Sequence, residues 1–122
     1  MAKILIADDE KDIRDLITFT LKFAGYDVVA YSDGQEALEA VPREMPDLIL
    51  LDVRMPRMTG YEACQHIKQD ERIQHIPVVF LSAKGQEAEI QTGMNMGATE
   101  YLLKPFAPEE LISSVRELLR EK

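Results

Sequence analysis

The chain has 122 residues, 46% apolar and 30% charged, with a formal net charge of −8 from 14 basic and 22 acidic side chains. This is the composition of a soluble globular chain and predicts a single domain over residues 1–122 with one core. The acidic surplus argues against nonspecific nucleic-acid or anionic-membrane binding, which needs Lys/Arg clusters. With no apolar run near the ~20 residues of a membrane span and no signal-peptide pattern, it predicts a cytoplasmic protein.

In chain order, Lys3 to Ala7 reads as a first strand, continuous and apolar, that ends on Asp8-Asp9-Glu10. Ile13, Leu16, Ile17, Thr20, Leu21 and Ala24 then follow helical spacing, and Gly25 supplies the stop. Tyr26 to Tyr31 holds a second strand around Val28, Val29 and Ala30. Ser32 with Gln35, or Asp33 with Glu36, has capping-box spacing. The short helix that follows carries Ala37, Leu38 and Val41, and Pro42 and Pro46 bracket its exit.

Leu48-Ile49-Leu50-Leu51 reads as a strand buried on both faces, and it terminates in Asp52. After Val53-Arg54-Met55-Pro56, Thr59-Gly60 opens a helix with Tyr61, Cys64 and Ile67 inward. Cys64 is the lone cysteine, so no internal disulfide is possible, and its helical position predicts packing. Pro77 opens a fourth strand, Val78-Val79-Phe80-Leu81, ending on Ser82-Ala83-Lys84-Gly85. A weaker helix runs through Ile90 to Met96 and stops at Gly97. The fifth strand spans Glu100 to Leu103 and leads into Lys104-Pro105-Phe106. In the last helix Pro108 suits the first position, Glu109 and Glu110 suit the positive dipole end, and Leu111, Ile112, Val115, Leu118 and Leu119 form the buried face. Ala107 is a poor cap there. Five strands alternating with five helices predict an open, doubly wound parallel sheet of the α/β class.

The strand ends share a chemistry. Asp8-Asp9, Asp52, Ser82 and Lys104 all stand at carboxyl ends of parallel strands, hence along one edge of the sheet. Nothing in core packing requires acid, acid, hydroxyl and amine there. Two like charges ~4 Å apart cost about 4 kcal/mol at an effective dielectric of 20, so the carboxylates call for a cation. Oxygen ligands with no His or Cys nearby suit Mg²⁺, which typically also binds a phosphate oxygen. Lys104 and the Ser82 hydroxyl would suit a tetrahedral anion beside Asp52, and the reaction class is phosphoryl transfer to a carboxylate.

The set Asp8-Asp9, Asp52, Ser82-Ala83 and Lys104-Pro105-Phe106 resembles the receiver domain of two-component response regulators, the CheY-like family, over the whole chain. The resemblance implies a flavodoxin-like sheet of order 2-1-3-4-5, with Asp9 and Asp52 on adjacent strands. It implies Asp52 as phosphoacceptor and Asp9 as a direct Mg²⁺ ligand, with Asp8 helping through water and the Arg54 backbone carbonyl completing the protein ligands. Lys104 would pair with the phosphoryl group, and its bond to Pro105 would be cis. Ser82 would be the switch hydroxyl and Tyr101 the coupled aromatic. Met55-Pro56 and Gly60 match the family's loop after the acceptor, and small Ala83 leaves access for the phosphoryl group. A histidine kinase or histidine phosphotransfer protein would be the donor. A downstream protein target or fused effector would read the face of the fourth helix, fifth strand and fifth helix. The domain would be no conventional enzyme, catalysing only its own Asp phosphorylation and slow dephosphorylation, with no direct nucleic-acid or membrane contact.

Two departures from the family pattern bear on detail. Arg54 and Lys84, each two residues beyond a site residue, are long and basic where the family tunes the lifetime of the phosphate. Ser113-Ser114 stands where DNA-binding, OmpR-like regulators place a dimerising arginine, which favours a single-domain or differently coupled regulator. Rival readings fare worse. A haloacid-dehalogenase-like phosphatase wants an acid at Arg54. An FMN carrier wants a hydroxyl-rich phosphate loop at Asp8-Asp9-Glu10. A dinucleotide-binding unit needs G-x-G-x-x-G.

Overall fold

Side chains alternate between the two faces of a strand, so a continuous apolar run must be covered on both sides. A computed structural model describes residues 2–83, 91, 94, 95, 97–104 and 106–120. Strands β1 (Lys3–Ala7), β2 (Asp27–Tyr31), β3 (Leu48–Asp52), β4 (Val78–Ala83) and β5 (Glu100–Lys104) form one sheet in the order β2-β1-β3-β4-β5. Every pairing is parallel. Among the described residues there are four helices: α1 (Lys11–Phe23), α2 (Gly34–Glu44), α3 (Gly60–Gln69) and α4 (Pro108–Arg120). Most of the helix expected through Ile90 to Met96 lies outside the described residues, as do Lys84, Gly85 and Pro105. Gln91, Met94 and Asn95 have helical backbone.

The helices divide between the faces. Ile4, Ile6, Leu48, Leu50, Val79 and Leu81 pack with Ile17 and Leu21 of α1 and with Leu111, Val115 and Leu118 of α4. Leu5, Ala7, Ile49, Leu51, Val78 and Phe80 pack with Ala37, Ala40 and Val41 of α2 and with Ala63, Cys64 and Ile67 of α3. The large side chains among them each contribute about 1.5–3 kcal/mol by leaving water. Tyr61 sets its ring edge-to-face on Phe80, with centroids 5.0 Å apart. Burial pushes the Cys64 thiol above its ordinary pKa, in keeping with the packing role expected.

Local signals decide the helix ends. Gly25, at φ 99°, closes α1: its N–H donates to the Lys22 carbonyl and that of Tyr26 to the Leu21 carbonyl. Of the two capping candidates before α2, Asp33 is the cap, its side chain accepting from the Glu36 N–H at 2.8 Å. Ala107 offers no capping oxygen, but the Glu110 side chain reaches back to accept from its N–H at 3.0 Å.

The second helix exits between the two prolines, as expected, running through Pro42 to Glu44. Pro42 sits in the last turn, where only one internal hydrogen bond is forfeited. Met45, left-handed at φ 45°, then stops the helix, its N–H donating to the Val41 carbonyl at 2.8 Å. Leu16 follows the helical spacing of α1 but is 46% exposed. The buried stripe of α1 centres on Ile17 and Leu21, and Leu16 lies roughly 100° around the helix from Ile17. It shares that flank with exposed Phe19 and Phe23, whose rings stack at 6.5 Å.

Gly60 fixes the start of α3 against the end of β3. A Cβ at this position would stand 2.2 Å from the Asp52 carbonyl oxygen, which is backbone and cannot swing aside. Gly60→Ala is therefore expected to cost about 1–3 kcal/mol, the usual range for overpacking, and to read as a lower urea midpoint with an unchanged slope.

Candidate functional site

Register brings the site together. β1 and β3 are matched with Ala7 opposite Leu51, so Asp8 and Asp52 are the next residues on neighbouring strands. Asp52 is opposite Leu81 in β4, and Ala83 is opposite Lys104 in β5. Three strands thus deliver two acids and an amine to one edge. Asp8 is fully buried, Asp52 is 7% exposed and Ser82 is buried beside them on β4.

Lys104 bridges the acids. Its Nζ stands 3.0 Å from Asp8 Oδ2, 3.4 Å from Asp52 Oδ1 and 3.4 Å from Glu10 Oε1. The other Asp8 oxygen accepts from the Glu10 N–H at 2.9 Å, and the Arg14 guanidinium donates to the Asp8 carbonyl at 2.7 Å. Each buried acceptor of Asp8 thus has a partner, as burial demands. The Lys104 ammonium thus meets a cluster of four carboxylates, Asp8, Asp9, Glu10 and Asp52, one oxygen from each lying within 4.8 Å of the others. Burial pushes the Asp52 carboxyl up to about 7, and the Asp8 charge adds to this against the pull of Lys104. Burial alone would lower the Lys104 ammonium, but its bond to Asp8 and the charges of Asp52, Asp8 and Glu10 outweigh it and raise its pKa.

This donor set fits a hard divalent cation. It is all oxygen, partly buried, and carries more negative charge than Lys104 neutralises. Asp9 and Glu10 are exposed and line its solvent side, whereas Asp8 and Asp52 are its buried floor. The Arg54 side chain is exposed, two residues beyond Asp52 in the loop from β3 to α3. Tyr101 stands on the edge strand β5, 39% exposed. Lys84 and Pro105, expected to tune lifetime and to carry the cis bond, lie outside the described residues.

Sequence reasoning assigned no role to Glu10 or Arg14. Glu10 had a signal: it extends the acidic run and precedes α1, yet its side chain makes no capping hydrogen bond and is left to the cluster. Arg14 had none, because its partner is a backbone carbonyl six residues earlier.

Comparison with known proteins agrees with this geometry. The chain is 42% identical over 118 residues to the alkaline phosphatase synthesis transcriptional regulatory protein PhoP of Bacillus subtilis, covering 97% of this chain and 48% of that protein. It is 43% identical over 120 residues to the DNA-binding dual master transcriptional regulator RpaA of Synechocystis, covering 98% and 50%. The chain therefore spans about half the length of the curated relatives it matches. Among solved structures, the chemotaxis protein CheY4 of Vibrio cholerae superposes with a TM-score of 0.91 at 36% identity, over 97% of this chain and 98% of that one. The response regulator receiver domain matches residues 4–116, and with the parallel 2-1-3-4-5 sheet and its acidic edge, the chain belongs to that family, the phosphorylation-activated switches of two-component signalling.

Proposed function

We propose that Asp52 is the phosphoacceptor, taking a phosphoryl group from a histidine kinase or histidine phosphotransfer protein. The observation that carries this is the buried Asp52 carboxylate at the end of β3, with Lys104 Nζ at 3.4 Å and three further carboxylates around it. An Asp52 oxygen attacks phosphorus, the phosphorus–nitrogen bond of the phosphohistidine breaks, and the imidazole nitrogen leaves with the electron pair. Lys104 neutralises the charge that develops on the phosphoryl oxygens, and Ser82 offers its hydroxyl to one of them. Asp9, Asp8, Asp52 and the Arg54 carbonyl would hold Mg²⁺, with Glu10 beside them. Bound there, the ion would supply charge neutralisation among the carboxylates and at the phosphoryl group. Arg54 and Lys84 would tune the lifetime of the acyl phosphate.

Phosphorylation shifts Ser82 and Tyr101, and with them the face made by the segment between β4 and β5, β5 itself and α4. The shift is a change of populations, as large as the differential stabilisation of the active conformer. A downstream protein or a fused effector reads that face. The domain spans 1–122 in the cytoplasm, with a fifth helix between β4 and β5, and does not itself contact nucleic acid or membrane. It is not a conventional enzyme and catalyses only its own phosphorylation and slow dephosphorylation.

The test is intact mass after incubation with Mg²⁺ and acetyl phosphate, with beryllofluoride binding measured alongside. The wild-type chain is expected to gain one phosphoryl group, lost on hydroxylamine treatment, and Asp52→Ala to gain none. An adduct that survives in Asp52→Ala sinks the assignment. So does a wild-type chain that forms no adduct and binds neither Mg²⁺ nor beryllofluoride.

A further inference from the structure

The loop that leaves Asp52 runs from Val53 to Thr59 and carries the Arg54 carbonyl. Its two ends are tied together, with the Gly60 N–H donating to the Val53 carbonyl at 2.9 Å. Its middle belongs to another element. The Met58 carbonyl lies so close over Gly34, the first residue of α2, that a Cβ there would stand 2.1 Å from the oxygen. Beside it, Arg57 Nη1 lies 3.4 Å from Asp33 Oδ2. Asp33 is buried, and its other oxygen caps α2 through the Glu36 N–H. One carboxylate therefore serves the start of α2 and the loop beyond Asp52 at once.

Arg57 also has φ 68°, in the left-handed region that glycine adopts freely and a long side chain does not. Strain of this kind persists where the surroundings over-determine the conformation. Here the side chain supplies what holds it, an ion pair to a buried acid.

We propose that the Arg57–Asp33 pair is a strap that positions the loop after Asp52, and through it the Arg54 carbonyl, toward the divalent cation. The proposal rests on the metal-site reading above. Arg57 is a positioning residue, acting through the loop and not on the reacting atoms. Its side chain is 59% exposed, so salt screens the strap and weakens it.

The experiment is Mg²⁺ titration by calorimetry, paired with thermal melts, on the wild-type chain, Arg57→Ala, Arg57→Gly, Asp33→Asn and the double variant Arg57→Ala/Asp33→Asn. Asn keeps the helix cap while removing the charge. Each single change is expected to weaken Mg²⁺ about two- to fivefold, the range open to a partly exposed pair. The double variant is expected to be no weaker than either single one, as for two halves of one interaction. Arg57→Gly is expected to melt above Arg57→Ala, because glycine sheds the left-handed strain, yet to bind Mg²⁺ no better. If affinity instead follows the melting order, or if the two single effects add, the residues matter only to the fold and the strap is refuted. Wild-type affinity in every variant also refutes it while leaving the metal site intact. A wild-type chain that binds no Mg²⁺ removes the metal-site reading and the strap together.

Discussion

In metal-free buffer at pH 8, Asp52→Asn is expected to melt well above the wild-type chain, by an amount that disappears as the pH falls to about 4. The Asp52 carboxyl is raised from 3.8 to about 7 by burial and by the Asp8 charge, against the pull of Lys104. The folded state therefore binds this proton more tightly than the unfolded state does. Below the ordinary carboxylate range both states are protonated and Asp52 carries no penalty. As pH rises through 7 the folded chain must ionise a buried group, and stability is lost. Each pKa unit is worth about 1.36 kcal/mol, so the upper bound is about 4 kcal/mol, and water access and the shared Lys104 reduce it to about 2–3 kcal/mol. That corresponds to roughly 10 °C in a domain of this size. Asn keeps the shape, removes the charge, and leaves Lys104 to Asp8 and Glu10. Mg²⁺ is expected to narrow the gap, since it favours the ionised carboxylate over the amide. Thermal melts in EDTA from pH 4 to 8.5 are the measurement, and a gap independent of pH would show that Asp52 ionises without strain.

The elements of this site were legible in the sequence because each is announced locally. Ile4–Ala7 and Leu48–Leu51 are apolar without interruption, and the acids that end them cannot continue a buried strand. What periodicity does not contain is which strands are neighbours. The pairing of Ala7 with Leu51, which sets Asp8 beside Asp52, follows from the 2-1-3-4-5 order, and that order came from family resemblance. The contact of Lys104 with Asp8 joins residues 96 apart, and that of Arg57 with Asp33 joins two loops 24 apart. Neither leaves a trace in local pattern. Pro42 and Pro46 do bracket the exit of α2, but the residue that stops it between them, left-handed Met45, carries no local stop signal. Leu16 fits helical spacing as well as Ile17 does. Only the placement of α1 on the sheet decides which flank meets water.

Lys104→Met is expected to separate the two things the ammonium does. Its Nζ contacts Asp8, Asp52 and Glu10, and its side chain is only 15% exposed. Methionine keeps much of the apolar stem and removes the charge. The buried Asp8 and Asp52 carboxylates then lose the ammonium they share, and stranding buried charge costs about 3–5 kcal/mol when nothing relaxes. Asp52, already raised to about 7, can relax by taking up a proton, so the loss is expected to be full near pH 8, smaller near pH 6, and reversed by millimolar Mg²⁺. In wild type the ammonium shares the Asp8, Glu10 and Asp52 carboxylates with any divalent cation bound there, so the variant is expected to bind Mg²⁺ at least as tightly. Phosphorylation behaves in the opposite way. A preorganised positive charge at the developing phosphoryl oxygens is worth roughly 10²–10³ in rate, and none of that is restored by better metal binding. Tighter Mg²⁺ with slower phosphorylation is the signature of a lysine that competes for the carboxylates at rest and serves the phosphoryl group during transfer. A variant that phosphorylates at the wild-type rate once saturated with Mg²⁺ would leave Lys104 with the resting role alone.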